Sequence, residues 1–168
     1  MNFKSSYDSP LGKIILKSDG EFLTGLWFEN SKDNIKNTCD AQEKSLSIFD
    51  QTKLWLDEYF GGNIPTFTPK YKFEKQSPFK LLVWSFVEKI PYGKTITYGD
   101  IAKEIAKIKH IDKMSAQAVG GAVGANPICL IVPCHRVVGS HNKLVGYGGG
   151  IENKTKLLKL EKETLSNS

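Results

Sequence analysis

The sequence contains no long apolar run. None of its 168 residues belongs to a stretch approaching the roughly eighteen apolar residues that a membrane-spanning helix requires. The first residues do not combine a basic segment with a longer apolar one, so we predict no secretory signal. We therefore expect a cytoplasmic protein with no membrane association.

Cysteine and histidine are scarce. The three cysteines, at positions 39, 129 and 134, show neither the pattern of a disulfide framework nor the spacing of a zinc site. The three histidines, at positions 110, 135 and 141, are scattered as well. We predict no metal and no cofactor, and the few cysteines are typical of a reducing compartment.

Arginine is almost absent: Arg136 is the one arginine among 23 basic residues. A guanidinium is planar and binds a carboxylate through two nitrogens, so this single use predicts a bidentate contact. Residues 1–72 carry 9 lysines and 10 acidic residues, whereas residues 73–168 carry 14 basic and 8 acidic residues. The basic second half favours a polyanionic partner, although solvated lysines alone would give the same balance.

The first part of the chain alternates short strands with turn residues. Three ranges predict antiparallel strands joined by tight turns: residues 2–7, 12–18 and 21–29. Residues 30–43 predict a loop or irregular helix, and residues 45–60 predict a helix that ends at Gly61 and Gly62. We predict an α/β (α+β) fold of two domains, in which residues 1–72 form a small antiparallel sheet plus helix that supports the rest.

Residues 73–168 are mostly helical by pattern. Ser77 is an N-cap that precedes a proline and an apolar helical periodicity. Thr97 and Ser115 begin two shorter helices joined by a lysine-rich link, which is the outline of a helix-turn-helix. Another helix is predicted from residue 151 to about residue 162. Its buried side should hold Leu157, Leu158, Leu160 and Glu161.

The helix at residues 116–124 contains Gly120 and Gly121 in its middle. A glycine inside a helix costs about 0.5–1 kcal/mol relative to alanine, so its small size must bring a steric benefit. Two explanations stay open. The helix either packs closely on a neighbouring element, or it approaches a nucleic-acid groove, where only a slim helix fits a minor groove about 6 Å wide.

A thiol, an imidazole and a guanidinium stand side by side in residues 131–138 (Ile-Val-Pro-Cys-His-Arg-Val-Val). The apolar residues 128–132 predict a buried strand, which Pro133 ends because it has no amide hydrogen to donate. Cysteines in apolar runs are usually inert, but His135 and Arg136 are side chains that stabilise a thiolate. Cys134 is a candidate nucleophile, with a structural cysteine as the alternative.

These features together resemble the O6-alkylguanine-DNA alkyltransferases, also called methylated-DNA–protein-cysteine methyltransferases. The motifs that carry the resemblance are Pro133-Cys134-His135-Arg136-Val137, Tyr98, the AVGGA stretch at residues 118–122, Asn126-Pro127, Tyr147 with Gly149-Gly150, and Glu161. The similarity is close over residues 77–163 and looser before them. It implies a ribonuclease H-like N-terminal domain and, at residues 73–168, an alkyltransferase domain with a winged helix-turn-helix-like motif.

The resemblance also implies a reaction. Members of this family bind duplex DNA from the minor-groove side, flip out the damaged guanine and transfer its O6-alkyl group irreversibly to their own cysteine. O4-alkylthymine is an expected second substrate. We expect a single-turnover enzyme that is a monomer, needs no cofactor, binds double-stranded DNA containing O6-alkylguanine, and associates with the nucleoid if the source is bacterial.

Roles follow from the family's motif, residue by residue. Cys134 is the expected acceptor, His135 its base through a water, and Glu161 the group that orients the imidazole. Tyr98 would donate a proton to the leaving guanine or support DNA rotation. The guanine pocket would be formed by Tyr147, Gly148, Gly149, Val137 and Asn126. The DNA contacts would come from Ser115, Gln117, Ala118, Gly121 and Tyr98. Cys39 and Cys129 are predicted to be silent.

Two positions depart from the family's pattern. Gln117 stands where many relatives have an arginine that enters the duplex, so flipping is expected to be less strongly supported. Gly148 stands where some relatives have a serine that contacts the base.

Three other classes of protein are alternative interpretations of this sequence. A non-catalytic alkyl-damage-binding protein on the same scaffold is the main alternative, and Cys134 with His135 and Glu161 argues against it. A thiol hydrolase is disfavoured because neighbouring side chains in an extended segment point apart. A plain helix-turn-helix transcription factor would need neither the thiol nor the glycine loop.

Overall fold

The computed structural model describes residues 1–144, 147 and 150–167, apart from the side chains of Lys32 and Asn142. The strands in this part of the chain are β1 (Phe3–Ser9), β2 (Gly12–Ser18), β3 (Leu23–Phe28), β4 (Gln42–Glu43), β5 (Ile96–Thr97) and β6 (Val137–Val138). The helices are α1 (Lys32–Thr38), α2 (Ser47–Phe60), α3 (Pro78–Val87), α4 (Tyr98–Lys109), α5 (Ala116–Gly124) and α6 (Ile151–Ser166). None of these helices is long and apolar enough to cross a membrane.

The N-terminal sheet has the strand order β3-β2-β1-β4. The three predicted strands pair antiparallel, with Ser9 opposite Gly12 across the first turn. The edge strand β4 runs parallel to β1 and was not predicted, because two residues are too few to show an alternating pattern. The polar segment predicted as loop or irregular helix contains α1, which Ser31 caps by accepting the Asn34 amide.

Strand β3 joins the two halves of the molecule. All six of its residues are buried. The Leu26 amide donates to the Pro127 carbonyl at 2.8 Å, and the Cys129 amide donates to the Leu26 carbonyl at 3.1 Å. One hydrophobic cluster therefore runs through both halves. The N-terminal sheet supports the segment that precedes Cys134, and the domain boundary at residues 72 and 73 stays a prediction.

The C-terminal helices begin where the sequence predicts. The hydroxyls of Ser77, Thr97 and Ser115 each accept an amide of the first helical turn, and Thr97 forms a full capping box with Asp100. Helices α3, α4 and α5 pack together, while β5 and β6 pair parallel beside them.

Helix α6 extends beyond the predicted end at about residue 162 and runs to Ser166. Leu157 is fully buried, as expected, whereas Leu158 and Leu160 are only half-buried. Glu161 lies on the buried face as expected, and Lys154, which was not predicted there, lies on it as well.

The predicted strand at residues 128–132 is wrong. The Asn126 side chain accepts the Ile128 amide and donates to the Val132 carbonyl, and the Val132 amide donates to the Ile128 carbonyl. These bonds close a buried turn in which Leu130 has a left-handed φ of 70°. Because the asparagine side chain satisfies the backbone groups of the apolar run, only Ile128 forms a strand-like bridge, to Leu26.

Gly25→Ala tests the packing of β3. A Cβ at Gly25 would overlap the ring of Trp27, so the ring or the strand must move. We expect a loss of about 1–3 kcal/mol in the free energy of unfolding, measured by urea denaturation. The control is Gly124→Ala, where nothing lies within 4 Å of the new Cβ. It should be neutral or stabilise the protein by up to about 1 kcal/mol. Equal effects of the two substitutions would contradict the packing described here.

Candidate active site

A cavity of about 820 Å³ lies between the N-terminal sheet and the helix-turn-helix. Trp27 and Phe28 at the end of β3 form part of its N-terminal wall. Tyr98 and Gln117 lie on the opposite side, and Cys134 lines the cavity although its side chain is almost wholly buried. A mainly apolar cavity with a buried thiol and a few polar side chains is a candidate binding site for a small ligand or a single base.

Cys134 begins a short 3-10 turn, Cys134–Arg136. The Cys134 amide donates to the Val132 carbonyl at 2.8 Å, and the Arg136 amide donates to the Pro133 carbonyl at 2.9 Å. The turn separates two side chains that are neighbours in sequence. Cys134 lines the cavity, whereas His135 is fully buried and is not part of the lining.

The Glu161 carboxylate of α6 is the group that holds His135. Its Oε2 lies 2.6 Å from His135 Nε2 and accepts the Tyr59 hydroxyl at 2.7 Å. Its Oε1 accepts the Gly93 amide at 2.9 Å. The predicted contact between Glu161 and the imidazole is therefore present, and Tyr59 of α2 extends it to the N-terminal half.

Arg136 makes the bidentate contact that its single use in the sequence predicts. Its Nε donates to Glu161 Oε1 at 2.8 Å, and its Nη2 donates to Oε2 at 3.1 Å. Its Nη1 donates to the Ile90 carbonyl at 2.8 Å, and the guanidinium carbon lies 5.3 Å from the centre of the Tyr92 ring. Arg136 balances the buried carboxylate, which otherwise would be costly.

These contacts set the charge of both groups. Burial alone would raise the pKa of Glu161, but hydrogen bonds and charge from His135 and Arg136 lower it to about 2. Burial lowers the pKa of His135, against the opposing effect of Glu161. An ionised Glu161 beside Nε2 makes that nitrogen the protonated one. His135 Nδ1 is buried with no hydrogen-bond partner among the described residues, so its lone pair can accept a proton.

The environment of Cys134 favours its thiolate. The pKa of Cys134 is lowered chiefly by a hydrogen-bond contact with Cys129, which burial opposes, and further by the Asn126 side chain and by Lys154. The fully buried Lys154 was missed in the sequence. Its Nζ donates to the Tyr98 hydroxyl at 3.3 Å. The signal was available, because Lys154 shares a helical face with Leu157 and Glu161.

The predicted pocket residues have different places. Tyr147 lines the cavity, and its ring lies edge-on to Phe28 at 6.4 Å between centroids. Asn126 lines the cavity and is buried, and its side chain closes the turn before Cys134. Val137 is fully buried in β6, where it pairs with Ile96, and its amide donates to the Cys134 carbonyl, so the structure does not bring it to the lining of the cavity. Gly148 and Gly149 lie outside the described residues.

The predicted DNA-contacting residues share the outer face of the helix-turn-helix. Four residues at the start and on one side of α5 are exposed: Ser115, Gln117, Ala118 and Gly121. A Cβ at Gly121 would meet nothing within 4 Å, so packing inside the protein does not require this glycine. Tyr98 lies beneath the same helix, 3.7 Å from a Cβ built at Gly120. Of the two explanations for this face, the contacts favour an external partner.

In the part of the chain that the structure describes, no group of three or more His, Cys, Asp or Glu side chains is arranged to hold an ion.

The fold and the site define a class: a two-part α/β protein with a buried cysteine at a cavity between a small sheet and a helix-turn-helix. Comparison with known proteins gives the family. The model of the 6-O-methylguanine DNA methyltransferase ribonuclease-like domain matches residues 2–70, and that of the corresponding DNA binding domain matches residues 78–163. The chain belongs to the methylated-DNA–protein-cysteine methyltransferases, and the resemblance found in the sequence is confirmed.

Relatives cover nearly the whole chain. The methylated-DNA–protein-cysteine methyltransferase of Haemophilus influenzae is 37% identical over 93% of this chain and 84% of its own length. That of Methanosarcina acetivorans is 40% identical over 92% of this chain and 95% of its own. The crystal structure of Mycobacterium tuberculosis OGT in complex with DNA superposes with a TM-score of 0.83 at 36% identity, covering 96% of this chain and 94% of that one.

Glu161→Gln tests the charge assignment. Since the pKa of Glu161 falls from an ordinary value near 4.5 to about 2 on folding, the carboxylate stabilises the fold above pH 4.5, and this stabilisation is lost as the pH falls toward 2. The shift corresponds to about 3 kcal/mol. We expect Glu161→Gln to lower the free energy of unfolding at pH 7 and to flatten its dependence on pH between 4.5 and 2.

The matched control is Glu152→Gln on the same helix, where Glu152 is exposed and pairs with Lys156. It should leave both the stability and its pH dependence within about 0.5 kcal/mol of the unmodified protein. Parallel pH curves for Glu161→Gln and the unmodified protein would show that the buried carboxylate is not the titrating group.

Proposed function

We propose that this protein repairs duplex DNA by transferring the alkyl group of O6-alkylguanine to Cys134, irreversibly and once per molecule. The observation that carries the proposal is the buried Cys134 in the lining of a cavity beside the exposed, small-residue face of α5. O4-alkylthymine is the second substrate that we propose. The protein acts as a monomer.

The outer face of α5 is the proposed DNA contact. Gly121 and Ala118 leave room for the backbone of the helix to enter the minor groove, and Ser115 starts the helix at the same face. Relatives named in the comparison support DNA as the partner, since one of them is solved in complex with DNA. The basic second half of the chain, with 14 basic and 8 acidic residues, supplies the attraction for phosphates.

The damaged base must leave the duplex to reach Cys134, because the thiol lies inside a cavity and the O6 atom lies inside the base stack. Gln117 lies at the cavity and can hydrogen-bond the base left without a partner. It has no charge with which to stack or to attract phosphate, so flipping depends more on the cavity than on an inserted arginine. Tyr147 and Phe28 would then lie against the flipped base.

The transfer is a substitution at carbon. The Cys134 thiolate attacks the alkyl carbon, the bond from that carbon to O6 breaks, and its electron pair passes to the guanine. The thiol proton leaves beforehand through a water to Nδ1 of His135, whose Nε2–H is held by Glu161. This is the nucleophile, base and orienter arrangement of other covalent enzymes, with a water between the first two.

Tyr98 is the proposed proton donor to the leaving guanine. Burial raises the pKa of Tyr98, with a smaller effect from Cys134, so the phenol keeps its proton at neutral pH. When it gives the proton up, the Lys154 ammonium at 3.3 Å can stabilise the phenolate. The product is a thioether on Cys134, which does not leave, and the molecule is spent.

A non-catalytic alkyl-damage-binding protein remains the second candidate, because such a protein would keep the same cavity and the same α5 face. The buried contact between His135 and Glu161 at 2.6 Å disfavours it, since binding alone needs no oriented base. The following experiment separates the two.

Intact mass spectrometry tests the acceptor. The protein is incubated with a duplex oligonucleotide carrying one O6-methylguanine, and we expect a gain of one methylene unit per molecule, mapped by digestion to Cys134. Cys134→Ala should bind the duplex and gain no mass, whereas Cys39→Ala should be alkylated normally because Cys39 is exposed and remote from the cavity. Several turnovers per molecule, or binding without transfer, would contradict the proposal.

Gly121→Leu tests the proposed groove contact. A Cβ at this exposed position meets nothing within 4 Å, so we expect the fold to persist while the bulk of the leucine blocks the close approach to DNA. We expect the affinity for duplex DNA to fall about tenfold or more, equivalent to about 1.4 kcal/mol. The control is Thr155→Leu at an exposed site of α6, which should bind normally. Unchanged binding by Gly121→Leu would remove α5 from the interface.

A further inference from the structure

A tyrosine from the N-terminal half contacts the buried pair of His135 and Glu161. Tyr59 is fully buried and lies near the end of α2. Its hydroxyl donates to Glu161 Oε2 at 2.7 Å and lies 3.5 Å from His135 Nε2. The sequence predicts only a supporting role for residues 1–72, yet Tyr59 brings one of their polar groups to the proposed base.

The Tyr59 ring is held on several sides, so its hydroxyl has little freedom to move. The ring stacks on Trp55, one helical turn earlier, with 5.3 Å between the ring centroids. The Tyr92 ring lies edge-on to it at 6.1 Å, and the imidazole of His135 does so at 6.4 Å. A hydrogen-bond donor acts as a positioning group only when packing fixes its own side chain in this way.

The single hydrogen of the Tyr59 hydroxyl is directed at Glu161. Burial, and then the negative charge of Glu161, raise the pKa of Tyr59, so the phenol keeps this hydrogen near neutral pH. Because a phenol has one hydrogen and otherwise only lone pairs, the hydroxyl can offer His135 Nε2 nothing but an acceptor. Nε2 therefore faces two acceptor atoms, Glu161 Oε2 at 2.6 Å and the Tyr59 hydroxyl at 3.5 Å, and both favour a hydrogen on that nitrogen.

The hydroxyl also fixes the orientation of the carboxylate. Oε1 of Glu161 accepts the Gly93 amide and Arg136 Nε, and Oε2 accepts Arg136 Nη2 at 3.1 Å. Tyr59 binds Oε2 as well, so this oxygen is held by the guanidinium and by the phenol. Without the phenol, we expect the carboxylate to turn toward Arg136 and away from Nε2, because a buried anion moves to the donors that remain.

We propose that Tyr59 is a positioning residue for the alkyl transfer: its hydroxyl holds Glu161 Oε2 against Nε2–H of His135 and so keeps Nδ1 unprotonated and able to take the thiol proton. The proposal rests on the proposed function, in which His135 is the base for Cys134. Tyr59 is not itself a catalytic residue, because it does not line the cavity and acts only through Glu161 and His135.

The surroundings of the imidazole make its tautomer matter. Burial lowers the pKa of His135, and the positive charges of Arg136, on the same turn, and Lys154, on α6, lower it further, whereas Glu161 raises it. The net effect favours a neutral ring, which carries its one hydrogen on either Nδ1 or Nε2. The hydrogen bonds at one ring nitrogen decide between these two forms, and Tyr59 acts on that choice at Nε2.

Tyr59→Phe removes the hydroxyl and keeps the ring that stacks on Trp55. The ¹⁵N NMR spectrum of histidine-labelled protein distinguishes protonated from unprotonated ring nitrogens, and His110→Asn and His141→Asn assign the signals. We expect the unmodified protein to have a protonated Nε2 and an unprotonated Nδ1 at His135 near pH 7, and Tyr59→Phe to show a mixture of both tautomers.

The same variant should slow the transfer without weakening binding. We expect the single-turnover rate on duplex DNA carrying O6-methylguanine to fall about tenfold in Tyr59→Phe, a part of the roughly 10²–10⁴-fold that acid–base catalysis contributes. The affinity for the same duplex should not change, because Tyr59 lies neither on the outer face of α5 nor in the cavity lining.

Tyr7→Phe is the matched control. The Tyr7 hydroxyl also donates to a carboxylate of the N-terminal half, Asp57 Oδ1 of α2 at 2.6 Å, but this contact is exposed and Tyr7 does not line the cavity. Removing it should leave both the His135 spectrum and the transfer rate unchanged. The same spectral change in Tyr7→Phe as in Tyr59→Phe would overturn the proposal.

The remaining outcomes also decide the proposal. An unchanged His135 spectrum or an unchanged transfer rate in Tyr59→Phe overturns it, as does an equal loss of rate and DNA affinity together with a lower melting temperature, since that pattern belongs to packing. If Tyr59→Phe fails to fold, 3-fluorotyrosine in place of Tyr59 decides, because a more acidic phenol donates more strongly to Glu161: a shifted Nε2 signal supports the proposal, and an unchanged one overturns it. Absence of methyl transfer by the unmodified protein would refute the proposed function, while the spectra would still show whether Tyr59 sets the tautomer.

Discussion

The Glu161 carboxylate is the contact on which the site depends. It is a buried anion on the last helix, and it accepts hydrogen bonds from three separate parts of the chain: Tyr59 of α2, the Gly93 amide, and the turn that carries His135 and Arg136. A buried charge is stable only when its partners are in place, so the position of α6, the tautomer of the imidazole and the shape of the turn are fixed together. Tyr59 makes the N-terminal half part of the same arrangement, although no catalytic role is proposed for it.

The turn at Cys134 explains how adjacent residues can cooperate. In an extended strand the side chains of Cys134 and His135 would point to opposite faces, and cooperation between these neighbours would be implausible. The 3-10 turn keeps them apart as well, but it places Cys134 on the cavity and His135 inside the protein next to Glu161. In the proposed reaction, the alkyl group would arrive on the cavity side of the turn and the thiol proton would leave toward His135 on the other side. The buried Lys154 adds a positive charge that favours an anion at Cys134.

Local sequence signals such as helix caps predicted the helices. The main error, the strand predicted at residues 128–132, arose because two local signals compete there. Caps such as Ser77 and Thr97 act within one helical turn, so the sequence locates helix starts without knowledge of the fold. The apolar run at residues 128–132 was predicted as a strand because its pattern ignores the Asn126 side chain, which takes the backbone bonds that a strand would need.

A reaction that happens once relaxes a constraint that most enzymes face. An acceptor that keeps its product needs no path for releasing it, so the thiol can lie deep in the protein, where few other electrophiles reach it. Depth alone would keep Cys134 protonated, because burial opposes the charged form. The nearby donors, the Cys129 thiol, the Asn126 amide and the Lys154 ammonium, offset that penalty without exposing the sulfur. Selectivity then depends on the step in which the base enters the cavity. Because Gln117 at the edge of the cavity is uncharged, that step depends on how well the flipped base fits among the surrounding side chains.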